Sequence, residues 1–216
     1  MNAGRFAMFD QMSMFDTLPP APPAPPIPAS PMPDGAPHAP HALFFAVLAD
    51  AQGAMGLHEH AERLHRQLGI GGKLLEPGRL HVSLHAVGAY LDVRPDADIA
   101  RWCRAAAAVS CEPFEVVFDQ VASFGGQGNP LVFKSSNEAD RAGFVALHLA
   151  LGMMLADVGE QIKTRSFTPH MTLSYRGKRV VETAIEPVRW RPAELVMIDS
   201  HVGAHLHEVL GRWPLR

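Results

Sequence analysis

The sequence predicts an α+β fold with largely antiparallel sheet, arranged as two similar halves behind a separate N-terminal tail. Three observations carry this. Strand and helix patterns alternate in the same loose order twice along the chain. Two matched tetrapeptides, His81-Val82-Ser83-Leu84 and His170-Met171-Thr172-Leu173, sit in strand patterns 89 residues apart. Of the 19 prolines, eleven crowd between Pro19 and Pro40.

The tail comes first. Each proline ring removes an N–H donor and fixes φ, so a segment this rich in proline holds neither helix nor sheet. Residues 1–40 therefore read as a disordered tail. It is Met- and Phe-rich to Leu18, where Ala7-Met8-Phe9-Asp10 is echoed by Ser13-Met14-Phe15-Asp16, and then continues as an extended spacer. At about 3.1 Å per residue the spacer reaches on the order of 60 Å. The folding unit is 41–216, and the 47% hydrophobic content of the whole chain suits one domain with a real core.

Within it, Ala42 to Leu48 is a short apolar run and reads as a buried strand. Leu57, Ala61, Leu64 and Leu68 have helical spacing, and Gly69 stops that helix. Leu80 to Val87 alternates as a strand. Asp98 to Val109 is Ala-rich and helical, capped by Asp96 or Asp98. Phe114 to Val121 is a strand. The order then repeats with a short strand from Leu131 to Lys134. A long helix follows from Asn137 to Val158, capped by Ser136 or Asn137 and ended by Gly159. Strands at His170 to Tyr175, Glu194 to His201 and His207 to Trp213 complete the chain. Short alternating strands mixed with helices give an α+β domain.

Several function classes fall away. No apolar run reaches the roughly 18 to 20 residues that span a membrane, the longest being Ala142 to Ala156 with His148 inside it. Asp10 and Asp16 interrupt the N-terminus, so it does not read as a signal peptide. Cys103 and Cys111 make no disulfide framework, and a reduced, cytoplasmic protein is expected. A net charge of −3 argues against broad binding to duplex nucleic acid.

The tetrapeptides carry the chemistry. In a strand, residues i and i+2 share a face. His81 and Ser83 therefore point one way while Val82 and Leu84 point to a core, and His170 and Thr172 repeat this over Met171 and Leu173. If the halves face each other, two imidazoles and two hydroxyls meet in one cleft. Opposed histidines suit in-line substitution at phosphorus, one taking a proton from the attacking oxygen and the other giving one to the leaving oxygen. Histidine titrates near neutrality, so the two can hold opposite protonation states. Ser83 and Thr172 would donate to the phosphoryl oxygens. The scheme needs no metal and no cofactor.

With these residues in view, the chain resembles a known family. The two motifs look like the HxTx and HxSx signatures of the 2H phosphoesterases. Within that superfamily the chain is most similar to the LigT-like RNA 2′,3′-cyclic phosphodiesterases, also called 2′-5′ RNA ligases. The flanks Arg79-Leu80 and Phe167-Thr168-Pro169, the opening Leu43-Phe44-Phe45-Ala46 and the ending Leu210-Gly211-Arg212-Trp213-Pro214-Leu215 are similar too. The resemblance runs from Ala42 to Arg216. It implies a bilobal fold, two antiparallel sheets around a central cleft with helices outside. The lobes would be about 41–130 and 131–216, exchanging strands. It also implies metal-independent opening of RNA 2′,3′-cyclic phosphate ends to 2′-phosphates, with 2′-5′ joining of RNA ends as a companion reaction. Carried over by motif, His81 is the general acid and His170 the general base, and Ser83 and Thr172 bind phosphate. The near-symmetry of the halves leaves the exchange of those roles open. RNA ends or cyclic-phosphate nucleotides are the expected partners. A non-catalytic RNA-end or nucleotide module, and a phosphodiesterase for other cyclic phosphates or 2′-5′ oligonucleotides, are the alternatives.

Other residues refine the site. Many relatives carry arginine two positions past the second motif. Here that position is Tyr175, and Arg176 follows. A strand continued to that point would turn Arg176 to the histidine face and Tyr175 away. Lys163, Arg165, Arg176, Lys178 and Arg179, with no acidic residue among them from Gln161 to Val181, read as a basic rim for an RNA end. Arg79 would add to it. By alternation His85 shares the face of His81 and Ser83 and would line the cleft. His58-Glu59-His60 lacks metal-ligand spacing, and His201, His205 and His207 read as surface histidines, although His205 and His207 share a strand face. In the tail, Gln11-Met12-Ser13-Met14-Phe15 resembles peptides that dock on the bacterial sliding clamp.

Overall fold

The computed structural model describes residues 41–124, 129–162, 167–175, 177–204 and 206–215. The tail expected over 1–40 lies outside them, as does its Gln11 to Phe15 peptide. The apolar run after the prolines forms β1 (His41–Leu48). The motif strands are β2 (His81–Tyr90) and β5 (Met171–Ser174), with β3 (Val116–Ser123) and β4 (Leu131–Lys134) between them in sequence. β7 (Glu194–His201) and β8 (Leu206–Pro214) lie where their alternation places them.

The strand β6 (Thr183–Trp190) is one the sequence does not announce. Most of its side chains are outside the core, and it contains Pro187. It runs along the edge of the sheet, and its register against β3 shifts between Phe118 and Gln120. A missing N–H is tolerated at an edge or a bulge.

Helix α1 (Ala51–Leu68) begins well before Leu57 because Asp50 caps it, accepting from the Gly53 N–H at 2.7 Å. Gly69 ends it in the left-handed region, φ 58°. Helix α2 (Asp96–Ala107) has Pro95 at its cap position, so Asp96 and Asp98 act through the first turn and not as side-chain caps. Helix α3 (Glu138–Asp157) is capped by Asn137, which accepts from the Ala139 N–H. A single 3-10 turn, Pro77–Arg79, feeds β2.

All strand pairs are antiparallel, in the order β6-β3-β4-β5-β2-β1-β7-β8. The two sheets expected from the sequence are the halves of this one sheet. They join at the centre through a single bridge, Val82 to Met171. One half is the middle of the chain, with β3 between β6 and β4 and β5 beyond β4, while in the other half β7 and β8 cross from the chain's end to join β1 and β2.

The two faces of the sheet differ. Leu43, Phe45 and Val47 of β1 enter the main core with Val82, Met171 and four α3 side chains, Phe144, Leu147, Leu151 and Leu155. Burial of each such side chain contributes about 1.5–3 kcal/mol. By length and composition alone α3 could cross a membrane, but this buried stripe makes it the core helix of the sheet, with Val145, Leu149 and Met153 outward. The alternate β1 residues Phe44, Ala46 and Leu48 turn to the other face, where Val196, Ile198 and Val209 complete a smaller apolar floor.

At the far end of β1 from the motifs, Asp199 is 1% exposed. One carboxylate oxygen meets His41 Nδ1 at 2.9 Å, and the other accepts from the Tyr90 hydroxyl. His41 stacks on Tyr90, with ring centroids 4.3 Å apart.

Candidate active site

Strand alternation sets the motif side chains as the sequence predicts. Val82, Met171 and Leu173 are fully buried and Leu84 nearly so. Ser83 is exposed and paired with Ala46, so it stands on the face of the smaller floor. His81 shares that face, its ring 5.4 Å from Phe44.

The two motif imidazoles are held alike. His81 Nδ1 lies 2.7 Å from the Arg79 carbonyl, and His170 Nδ1 lies 2.8 Å from the Thr168 carbonyl. A carbonyl only accepts, so both Nδ1 atoms carry hydrogen. Each neutral ring then has its lone pair at Nε2, and each charged ring has its donor there. An aromatic ring supports each one, Phe44 beside His81 and Phe124 beside His170 at 4.5 Å. Burial lowers the proton affinity of both histidines, against which the carbonyl contacts raise it. His81 is lowered further by Arg79 and by His170.

Two of the expected contributors behave differently. His85 does not line the cleft. Ala46 pairs with Ser83 and Phe45 with His85, so Leu84 is an extra residue on β2. This bulge reverses the alternation and turns His85 to the helix-covered face. There it is 7% exposed, its Nε2 donates to the His148 carbonyl at 2.8 Å, and its ring stacks on His148 at 3.9 Å. His148 stacks in turn on Phe167, just before the second motif, at 4.1 Å. Tyr175 is exposed and lies past the end of β5 at Ser174, so the strand alternation does not extend to it. Arg176 lies outside the described residues, with Lys163, Arg165 and His205. Of the basic rim, Lys178 and Arg179 are described, and both are exposed.

The site also contains a histidine that sequence reasoning left on the surface. His207 of β8 lies on the same face as Val209, with its ring 5.4 Å from His81 and 5.9 Å from Phe44. Arg79 Nη2 donates to its Nε2 at 3.4 Å. Burial first, then His81 and Arg79, lower the His207 pKa to about 4. The alternation of His207 and Val209 was the available signal, but it does not reveal which strand faces which.

His58 and His60 part as expected: His58 meets Glu62, while His60 is buried against Phe133 and accepts from Arg63. Ligand atoms of His41, Asp199 and His201 lie within 4.8 Å of one another and could hold a metal. His41 and Tyr90 already engage both Asp199 oxygens, which accounts for that carboxylate as a structural group.

An antiparallel α+β sheet with a His-x-Ser and a His-x-Thr strand bridged at its centre defines a 2H phosphoesterase. The model of the 2′-5′ RNA ligase superfamily matches residues 37–204, and the chain belongs to that superfamily. Solved structures share the fold. LigT of E. coli, in complex with 3′-AMP, is 20% identical with a TM-score of 0.60, covering 82% of this chain and 98% of LigT. TT0787 of Thermus thermophilus is 20% identical with a TM-score of 0.61, covering 81% of this chain and 98% of its own. LigT has also been crystallised with NADP+, at 20% identity, a TM-score of 0.58 and coverage of 82% and 98%. No curated protein matches the chain.

Proposed function

We propose that this protein opens RNA 2′,3′-cyclic phosphate ends to 2′-phosphates without a metal. The observation that carries the reading is the equivalent anchoring of His81 and His170, which leaves both Nε2 atoms free for proton transfer. Nucleotides bound to LigT, a protein of the same fold, support a nucleotide or RNA end as the ligand.

In this reading His170 Nε2 takes a proton from water as its oxygen bonds to phosphorus. The bond from phosphorus to the 3′ oxygen breaks, and His81 Nε2 gives that oxygen its proton. The products are a 2′-phosphate and a 3′-hydroxyl. Ser83 and Thr172 hydroxyls donate to the non-bridging oxygens, where charge builds. With a 5′-hydroxyl in place of water, the same displacement joins two RNA ends through a 2′-5′ bond. An anionic phosphate beside His81 offsets the influence of Arg79 and restores the proton the acid needs.

The test is incubation in EDTA with a nucleoside 2′,3′-cyclic phosphate and with an RNA carrying that end, followed by identification of the product isomer. The expected product is the 2′-phosphate, and His81→Ala and His170→Ala each lose on the order of 10² or more in rate. Turnover that survives either substitution, or that needs a metal, overturns the reading.

A further inference from the structure

We propose that Arg79 and His207 form a second phosphate subsite in the cleft, which takes the phosphodiester adjoining the reacting end of an RNA chain. The inference rests on the reading of the cleft as a phosphoesterase site and specifies its substrate: an oligonucleotide end rather than a mononucleotide.

Basic groups in this part of the cleft are unbalanced by acidic ones. His207 meets both Arg79 and His81, and both imidazoles lie against Phe44. Arg79 donates from Nη2 to His207, and its Nε is buried with no hydrogen-bond partner. Among the described residues no carboxylate pairs with Arg79 or with either histidine. A guanidinium presents five donors in a planar fork, and burying donors without acceptors is unfavourable. A phosphate supplies both the acceptors and the counter-charge, and the fork matches its geometry. The low proton affinity of His207 fits an imidazole buried against Arg79 and His81 with no acceptor anion beside it.

The pair also stands apart from the reacting centre. The sheet order places β5 on one side of β2, and β1, β7 and β8 on the other. His170 precedes β5, so the reacting phosphorus, held between His81 and His170, lies on the β5 side of His81. His207 comes from β8 and reaches His81 from the opposite side, with Phe44 of β1 beneath both. The Arg79 and His207 pair is therefore beside the reacting centre and not within it. A ligand that fills both places carries two phosphates in succession along a chain.

The test compares kcat/KM for a nucleoside 2′,3′-cyclic phosphate with that for a dinucleotide bearing the same end. The parent protein is expected to prefer the dinucleotide. In Arg79→Gln and in His207→Phe the ratio of the two constants falls on the order of tenfold or more, the usual worth of a charge-assisted hydrogen bond. Arg79→Lys retains part of the preference as a point charge. Because each variant is scored as a ratio, a general loss from a misplaced His81 cancels. Equal losses on both substrates, or an unchanged ratio, overturn the subsite while the proposed reaction stands. A companion measurement titrates the same dinucleotide into His170→Ala protein, with and without Arg79→Gln. Weaker binding on loss of Arg79 supports the subsite even where the parent shows no turnover, in which case the proposed reaction alone fails. Binding that ignores Arg79 overturns the subsite by a readout independent of catalysis.

Discussion

Val82 and Met171 are register partners across β2 and β5, both fully buried, and theirs is the bridge that joins the two halves of the sheet. The strands are antiparallel, so one step from the bridge sets His81 beside Thr172, and one step the other way sets Ser83 beside His170. Directly opposed side chains are closer than i and i+2 neighbours on one strand. The hydroxyl of each motif therefore serves the histidine of the other. Ser83→Ala and Thr172→Ala are each expected to lower kcat by about 10–10³-fold as lost phosphoryl donors. In an NMR titration of the imidazoles, Ser83→Ala shifts His170 more than His81, and Thr172→Ala does the reverse. A larger effect within a motif than across the bridge would contradict the crossed pairing.

The pH profile follows from the two histidines. Burial lowers both below the ordinary value of 6.5, and His81 is lowered further by Arg79 and His170. At pH 7 the base is ready, but the acid has mostly lost its proton. The value of kcat/KM is expected to peak below pH 6.5 and to fall on the alkaline side as the acid is depleted. Bound substrate adds negative charge beside the acid, so kcat holds to a higher pH than kcat/KM. A kcat/KM that rises from pH 6 to 8 is incompatible with this scheme.

These residues also mark what a sequence conveys. The motif strands were legible because the period of two decides which side chains share a face, and β2 and β5 obey it at His81, Ser83, His170 and Thr172. The same rule fails four residues on, at His85, because a bulge at Leu84 inserts one residue without a distinctive signal. Helix ends with a cap or a stop, Asn137 and Gly69, were readable. The early start of α1 was not, since Ala51 to Gly56 carries little apolar periodicity. β6 was hidden because an edge strand needs few buried side chains and tolerates Pro187. His207 escaped for a different reason. It reaches the site through strand order, and β8 stands three strands from β2.

The stack of His85, His148 and Phe167 makes a prediction about acid stability. Burial first, then His85, lower the His148 pKa to about 4, against a contact with the Leu84 carbonyl that raises it. The unfolded chain titrates this histidine near 6.5, so between pH 6.5 and 4 the unfolded state binds more protons than the folded one. Stability is therefore full above about pH 6.5, declines as pH falls through that window, and is not lost further to this group below about pH 4. His148→Phe keeps an aromatic plane between His85 and Phe167 and removes the titration. Urea melts at pH 7 and pH 5 are expected to differ less in this variant than in the parent. An identical difference would place the acid sensitivity elsewhere.

Asp199 supplies the opposite kind of test, one in which stability moves and catalysis does not. Its carboxylate is buried at the His41 end of β1, while His81 pairs with Leu48 at the other end. Seven residue steps along the strand separate the two ends, about 23 Å. Asp199→Ala removes the acceptor for both His41 Nδ1 and the Tyr90 hydroxyl and leaves those groups without their partner. Breaking a buried pair in this way costs about 3 kcal/mol or more, which for a domain of this size lowers Tm by roughly 10 °C. Asp199→Asn keeps the shape and one acceptor, and its loss is expected to be smaller. Because Asp199 and His41 share the helix-covered face with Leu43, whereas Ser83 and His207 stand on the opposite face, kcat/KM measured well below the melting transition stays within a few-fold of the parent in both variants. A variant that melts like the parent, or one that loses activity while still folded, would show that the Asp199 network does something other than hold β1, β2 and β7 in register.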